Sequence, residues 1–114
     1  MNTSVNDLQA VRASDVSVSD DTLTVDLADG RTLSVPLTWY PRLLHGTPEE
    51  RRNWRLIAGG VGIHWPDLDE DIGIEGLLLG RRSGESQNSL QRWMKERAKA
   101  PKGNQRPSAD EDTA

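Results

Sequence analysis

An α+β fold is what this sequence predicts: an antiparallel β-meander packed by short helices, then a C-terminal amphipathic helical arm and a disordered tail. Three observations lead there. Apolar residues occupy every second position from Val16 to Leu37, short helix signals follow as far as Gly80, and the sign of the charge reverses beyond Arg81. The reading places an α+β body at residues 1–80 and a basic linker, amphipathic helix and tail at residues 81–114.

The meander is the clearest element. Val16 and Val18 alternate with serines; Leu23, Val25 and Leu27 alternate with Thr24 and Asp26; Leu33, Val35 and Leu37 alternate with Ser34 and Pro36. Alternation of this kind sets one sheet face on a core and leaves the other in water. Ser19-Asp20-Asp21 punctuates the first pair of strands and Ala28-Asp29-Gly30 the second, and Asp-Gly is a tight-turn signal because glycine accepts positive φ. Before the meander, the first dozen residues are polar and read as frayed, with Leu8 and Val11 able to cover the sheet.

The period changes after Pro36. Trp39 to Leu44 reads as a short helical turn, and Thr47-Pro48-Glu49-Glu50 as a helix start. Thr47 can accept at the third position, Pro48 has no N–H to waste at the first, and Glu50 can reach back. That helix is expected to run from Pro48 to Trp54 with Arg51 and Arg52 facing water. Trp54 to Ile57 then predicts an extended stretch, interrupted by Gly59, Gly60 and Gly62 and resumed by Ile63-His64-Trp65, with Pro66 confining it to an edge or an end. Asp67 to Asp71 reads as an acidic loop, and Ile72 to Leu79 as a helix closed by Gly80. In the arm, Ser89 to Lys99 forms a helix with Leu90, Trp93, Met94 and Arg97 on one face. From Pro101 the composition is that of a disordered tail.

Composition narrows the function classes. The 114 residues fit one domain, and hydrophobic residues make up only 34 % of them. With no cysteine, the chain has no disulfide framework, thiolate zinc site or cysteine nucleophile. The start, MNTSVNDLQAVRAS, lacks the pattern of a signal peptide, and no apolar run is long enough for a membrane span, so the cytoplasm is the expected compartment. Residues 1–80 carry 6 basic and 13 acidic side chains, whereas residues 81–109 carry 8 basic and 2 acidic, within a net charge of −4. The result is an acidic body, a basic arm and, at Asp110 to Asp112, an acidic tip.

Several constellations invite a chemical reading. Asp67, Asp69 and Asp71 imitate the opening of a calcium loop, but the sixth position is Ile72 and the twelfth Leu78, where glycine and a bidentate glutamate are needed. His64 beside this acidic run could serve as a base or a pH-sensitive contact, although a structural hydrogen bond is the more ordinary role. With His45 the only other histidine, no metal site is expected, and no cofactor. Gly59-Gly60-Val61-Gly62 lacks what a dinucleotide or phosphate loop requires and reads as a bend. Trp39, Trp54 and Trp65 stand at element junctions, as packing tryptophans do. Trp93 stands apart on the arm, where a Trp-Met face needs a partner surface. Arg81, Arg82, Arg92, Lys95, Arg97 and Lys99, with Lys102 and Arg106, could contact phosphates in a salt-sensitive manner, although the overall pI of about 5.1 argues against nucleic acid as the body's partner.

The run Ile63-His64-Trp65-Pro66-Asp67-Leu68-Asp69-Glu70-Asp71-Ile72, followed by Ile74-Glu75-Gly76-Leu77-Leu78, resembles the signature of domain of unknown function 2442. Val35-Pro36-Leu37-Thr38-Trp39-Tyr40-Pro41-Arg42-Leu43 and the Thr47-Pro48-Glu49 to Asn53-Trp54 step resemble it too, so the likeness spans residues 12–80. Gly73 stands where that family has a serine capping the last helix. The resemblance implies a small α+β fold, a bacterial source, no established catalytic residues, and an antitoxin or accessory role beside a small toxin-like partner. The sequence therefore favours a non-enzymatic protein-interaction module that binds a small protein through Leu90, Trp93, Met94 and Arg97. A nucleic-acid-binding regulator using the basic arm is the alternative, and a small enzyme centred on His64 ranks third.

Overall fold

The computed structural model describes residues 11–99; residues 1–10 and the tail from Pro101, with Lys102 and Arg106, lie outside them, whereas Arg12, expected in the frayed start, is bonded to Ala28 and Ala58. The described chain falls into two compact units that divide between Ser83 and Gly84. The first holds two three-stranded antiparallel sheets and their short helices.

Strands β1 (Ala13–Val18), β2 (Thr22–Leu27) and β3 (Thr32–Pro36) form the meander in the order β1-β2-β3. Val16 faces Val25 and Leu23 faces Val35 across the ladder, which sets the apolar alternation on one side. Leu23, Val25 and Leu27 are buried along with Val16 and Val35. Between Ala13 and Asp15 the register shifts, and the Asp15 carboxylate accepts from the Val16 N–H at 2.9 Å there. In the β1–β2 turn the Ser19 hydroxyl accepts from the backbone of Thr22 at 3.1 Å. Hydroxyl donation from Thr22 and then Ser19 holds the Asp21 carboxyl below its ordinary value. The β2–β3 turn places Gly30 at φ +100°, as Asp-Gly foretold.

A 3-10 turn at Leu37–Trp39 leads into α1 (Pro41–Leu44), and Leu37 and Leu43 are fully buried. Helix α2 (Pro48–Arg52) begins with the expected reciprocal cap: Thr47 Oγ1 accepts from the Glu50 N–H at 3.1 Å, and Glu50 Oε1 accepts from the Thr47 N–H at 2.9 Å. It ends at Arg52 rather than Trp54. Arg51 does not face water as expected; it is buried, with Nε donating to the Leu43 carbonyl at 2.8 Å and Nη2 to the Leu44 carbonyl at 2.7 Å. The Leu44 carbonyl takes its donor from this guanidinium, and the Leu43 carbonyl accepts it beside the Gly46 N–H at 3.1 Å, so Arg51 caps a neighbouring helix.

The second sheet has the order β4-β5-β6, with β4 at Arg55–Ile57, β5 at Gly62–Trp65 and β6 at Glu70–Gly73. The glycine segment after β4 is a 3-10 turn, as a bend was expected there. A Cβ on Gly60, at φ +104°, would lie 2.7 Å from the Ala13 carbonyl oxygen, so only glycine fits this approach to β1. Strand β6 corrects two expectations. Glu70 and Asp71 are not loop, and Ile72 does not start a helix: Ile72 pairs with Ile63 and is buried, because alternation with Asp71 gives this segment a strand's period. Helix α3 (Ile74–Leu78) starts afterwards, with Gly73 as its N-cap. The second unit contains α4 (Gln87–Lys99), which starts two residues earlier than the sequence suggested. Among the described residues no helix is long and apolar enough to cross a membrane.

Candidate functional site

The run that carries the family resemblance is a β-hairpin, β5–β6, whose turn is fastened from below. Trp65 and Leu68 are fully buried. The Trp65 indole N–H donates to the Arg51 carbonyl at 3.0 Å, so the residue whose side chain caps α1 also positions the tryptophan through its backbone. Leu68 lies against Gly46, where an added Cβ would come within 2.9 Å of Cδ1. Pro66, Asp67 and Asp69 are exposed at the tip, and Asp69 adopts φ +51°, a conformation that Asp tolerates better than most residues.

The carboxylates of Asp67, Asp69 and Asp71 each have a local partner. Asp67 accepts from Asn53 Nδ2 at 2.9 Å. Arg42 lies 3.7 Å from the Asp69 carboxylate and donates to the carbonyls of Leu68 and Asp69 at 3.3 and 3.2 Å. Asp71 is bonded to His64 Nδ1. The run is thus a fold determinant, with its carboxylates tying the turn to α1 and to the segment after α2. Among the described residues no group of three or more His, Asp or Glu side chains is placed to hold a metal ion.

His64 forms the middle of a polar row. It pairs with Arg55 on one neighbouring strand and Asp71 on the other, so all three project from the same sheet face. The His64 side chain is 22 % exposed and that of Asp71 68 %. A carboxylate on Nδ1 fixes the imidazole's orientation, which is half of what a general base requires. The other half, a nucleophile or a water-excluding pocket, is not part of the row.

Basic and aromatic residues of the sequence reading divide between the two units. Arg81 and Arg82 belong to the body. The Tyr40 hydroxyl donates to the Arg81 carbonyl at 2.9 Å, and the Arg82 guanidinium stacks 4.8 Å from the centroid of Trp39. Burial first, and then the Glu70 charge, push the Tyr40 phenol above its ordinary pKa. Arg92, Lys95 and Lys99 belong to α4 and are exposed. The helix is opened by Ser86, whose hydroxyl accepts from the Ser89 N–H at 3.1 Å. Leu90, Trp93, Met94 and Arg97 follow at i, i+3, i+4 and i+7, so one face collects them. Leu90 is buried, Met94 is 39 % exposed, and the Arg97 guanidinium sits 4.6 Å from the Trp93 centroid. Another face collects Gln87, Asn88, Gln91, Arg92 and Lys95, all exposed. Sequence reasoning had passed over its three carboxamides, although their spacing at i, i+1 and i+4 was open to view.

Fold and hairpin together define a small two-sheet α+β protein whose hallmark is a Trp-Pro-Asp-Leu-Asp turn anchored by buried Trp65 and Leu68. The chain belongs to the family described as protein of unknown function DUF2442, which it matches over residues 13–83. Two solved structures resemble it. One is the crystal structure of a protein of unknown function from Rhodospirillum rubrum, at 26 % identity and a TM-score of 0.57, covering 66 % of this chain and 93 % of that one. The other is the solution structure of an uncharacterised protein from Chromobacterium violaceum, at 25 % identity and a TM-score of 0.57, covering 89 % of this chain and all of that one (100 %). No curated protein matches the sequence.

Proposed function

We propose that this chain is a non-enzymatic protein-binding module of the antitoxin or accessory type, in which the body is a scaffold and α4 contacts a small protein partner. The observation that carries the reading is a coincidence of boundaries. The family match ends at Ser83, where the first compact unit ends, and the amphipathic α4 follows in the second. A helix that follows the family-matched segment suits a partner contact, and its apolar stripe suits an apolar groove. Met94 offers an adaptable side chain for such a groove, and the Arg97–Trp93 stack holds the ring in a defined orientation. The hairpin supports the scaffold role, since Asp67, Asp69 and Asp71 are each engaged in local contacts. The same reading takes the protein to be cytoplasmic.

The test uses the full chain as bait in lysate of the source organism, with nuclease treatment and mass spectrometry, beside the Met94→Asp variant. A small protein retained by the native chain in the presence of nuclease, and bound about tenfold or more weakly by Met94→Asp, is the expected result. A partner held equally well by Met94→Asp would remove α4 from the interface and overturn the proposal.

A further inference from the structure

Helix α4 has a second side whose chemistry differs from the Leu90–Met94 stripe. Gln87, Asn88, Gln91, Arg92 and Lys95 lie at i, i+1, i+4, i+5 and i+8, and Lys99 extends the row by another turn. All six are exposed. Glu96, the helix's one acidic residue, stands at the edge of this row, one turn from Arg92 and from Lys99.

We infer that this face of α4 is a reading surface for double-stranded DNA, entering the major groove with its carboxamides and Arg92 toward the base edges and Lys95 and Lys99 toward phosphates. Three properties of the face support it. Carboxamides present a donor and an acceptor side by side, the pair that Asn and Gln use on adenine, while Arg matches the two acceptors of guanine. Gln87 to Lys95 covers eight steps of helix, about 12 Å at 1.5 Å per residue, which matches three to four base pairs, and a helix of about 10–12 Å diameter fits the groove. The Ser86 cap secures the first turn, which carries Gln87 and Asn88.

An acidic protein would be a poorer match, because carboxylates call for cations and leave three adjacent carboxamides unused. Duplex RNA is poorer again, because its deep, narrow major groove does not admit side chains. With a chain charge of −4, affinity has to come from the local row of Arg92, Lys95 and Lys99, so binding will be weak on random sequence and will fall with salt.

The experiment is fluorescence anisotropy of the full chain with a labelled random-sequence DNA duplex at low salt, followed by selection of a preferred sequence from the same pool. The expected result is binding at protein concentrations up to about 100 µM, with a log–log salt slope of about −2 from the two lysines. Arg92→Glu with Lys95→Glu should weaken it about tenfold or more. Gln87→Ala with Gln91→Ala should flatten the selected sequence while leaving random-duplex affinity within about twofold. Met94→Ala, on the other face, should bind as the native chain does, and far-UV circular dichroism confirms that each variant keeps its helix. Absence of binding at about 100 µM in low salt would overturn the inference. So would equal competition by polyglutamate or duplex RNA, or affinity unchanged by the charge reversals.

Discussion

Arg51 shows how one side chain can join elements that are separate in sequence. Its guanidinium satisfies the carbonyls of Leu43 and Leu44, and its own carbonyl receives the Trp65 indole. Hydrogen bonds from a charged donor to buried acceptors are worth about 1.5–3 kcal/mol, and without Arg51 the Leu44 carbonyl loses its donor whereas the Leu43 carbonyl keeps the Gly46 N–H. Arg51→Ala should therefore lower unfolding free energy by about 2–3 kcal/mol in a urea titration, and Arg51→Lys should recover less than half, because an ammonium cannot span both carbonyls. The contact of Arg51 with Asp20 at 3.5 Å contributes little, since the Asp20 side chain is fully exposed; Asp20→Asn should change stability by less than about 0.5 kcal/mol. A loss below about 0.5 kcal/mol for Arg51→Ala would mean that water replaces the guanidinium. Nothing in the sequence distinguishes this arginine from Arg52 beside it. Which of the two turns inward depends on where α1 lies, and that is a tertiary fact.

At the scale of elements, Gly73 offers a direct check on helix α3. It sits at the N-cap with φ −86° and ψ 140°, a conformation open to any residue, and an added Cβ meets nothing within 4 Å. No side chain caps that end. Gly73→Ser should stabilise the protein by a few tenths of a kcal/mol through a hydroxyl accepting from the first turn, read as a shift in urea midpoint at constant slope. A destabilised variant would show that the start of α3 is misplaced. The meander was legible because strands of five or six residues display a full alternation between turns with their own chemistry. In the second sheet β4 and β5 coincide with the stretches read as extended, but β6 was not legible: it is four residues long, and Ile72 and Ile74 flank Gly73 in a pattern that fits a helix as well as a strand. Only the pairing of Ile72 with Ile63 decides between them. The α2 cap was legible because Thr47, Pro48 and Glu50 interact locally. On α4 the apolar and cationic positions drew notice, whereas the carboxamides did not, because they have neither charge nor hydrophobicity to mark a face.

The whole molecule divides its labour along the chain. Residues 13–83 carry the family's fold and the contacts that fasten its hairpin, whereas α4 carries an apolar stripe on one side and a cationic, carboxamide-rich row on another. On the proposed reading, partner contact belongs to α4 and scaffolding to the sheets. Hydrogen exchange read by mass spectrometry, on the full chain with and without the captured small protein, tests this most directly. New protection concentrated in residues 87–99, with β4 to β6 unchanged, is the predicted result; new protection on the β5–β6 hairpin with none on α4 would contradict it.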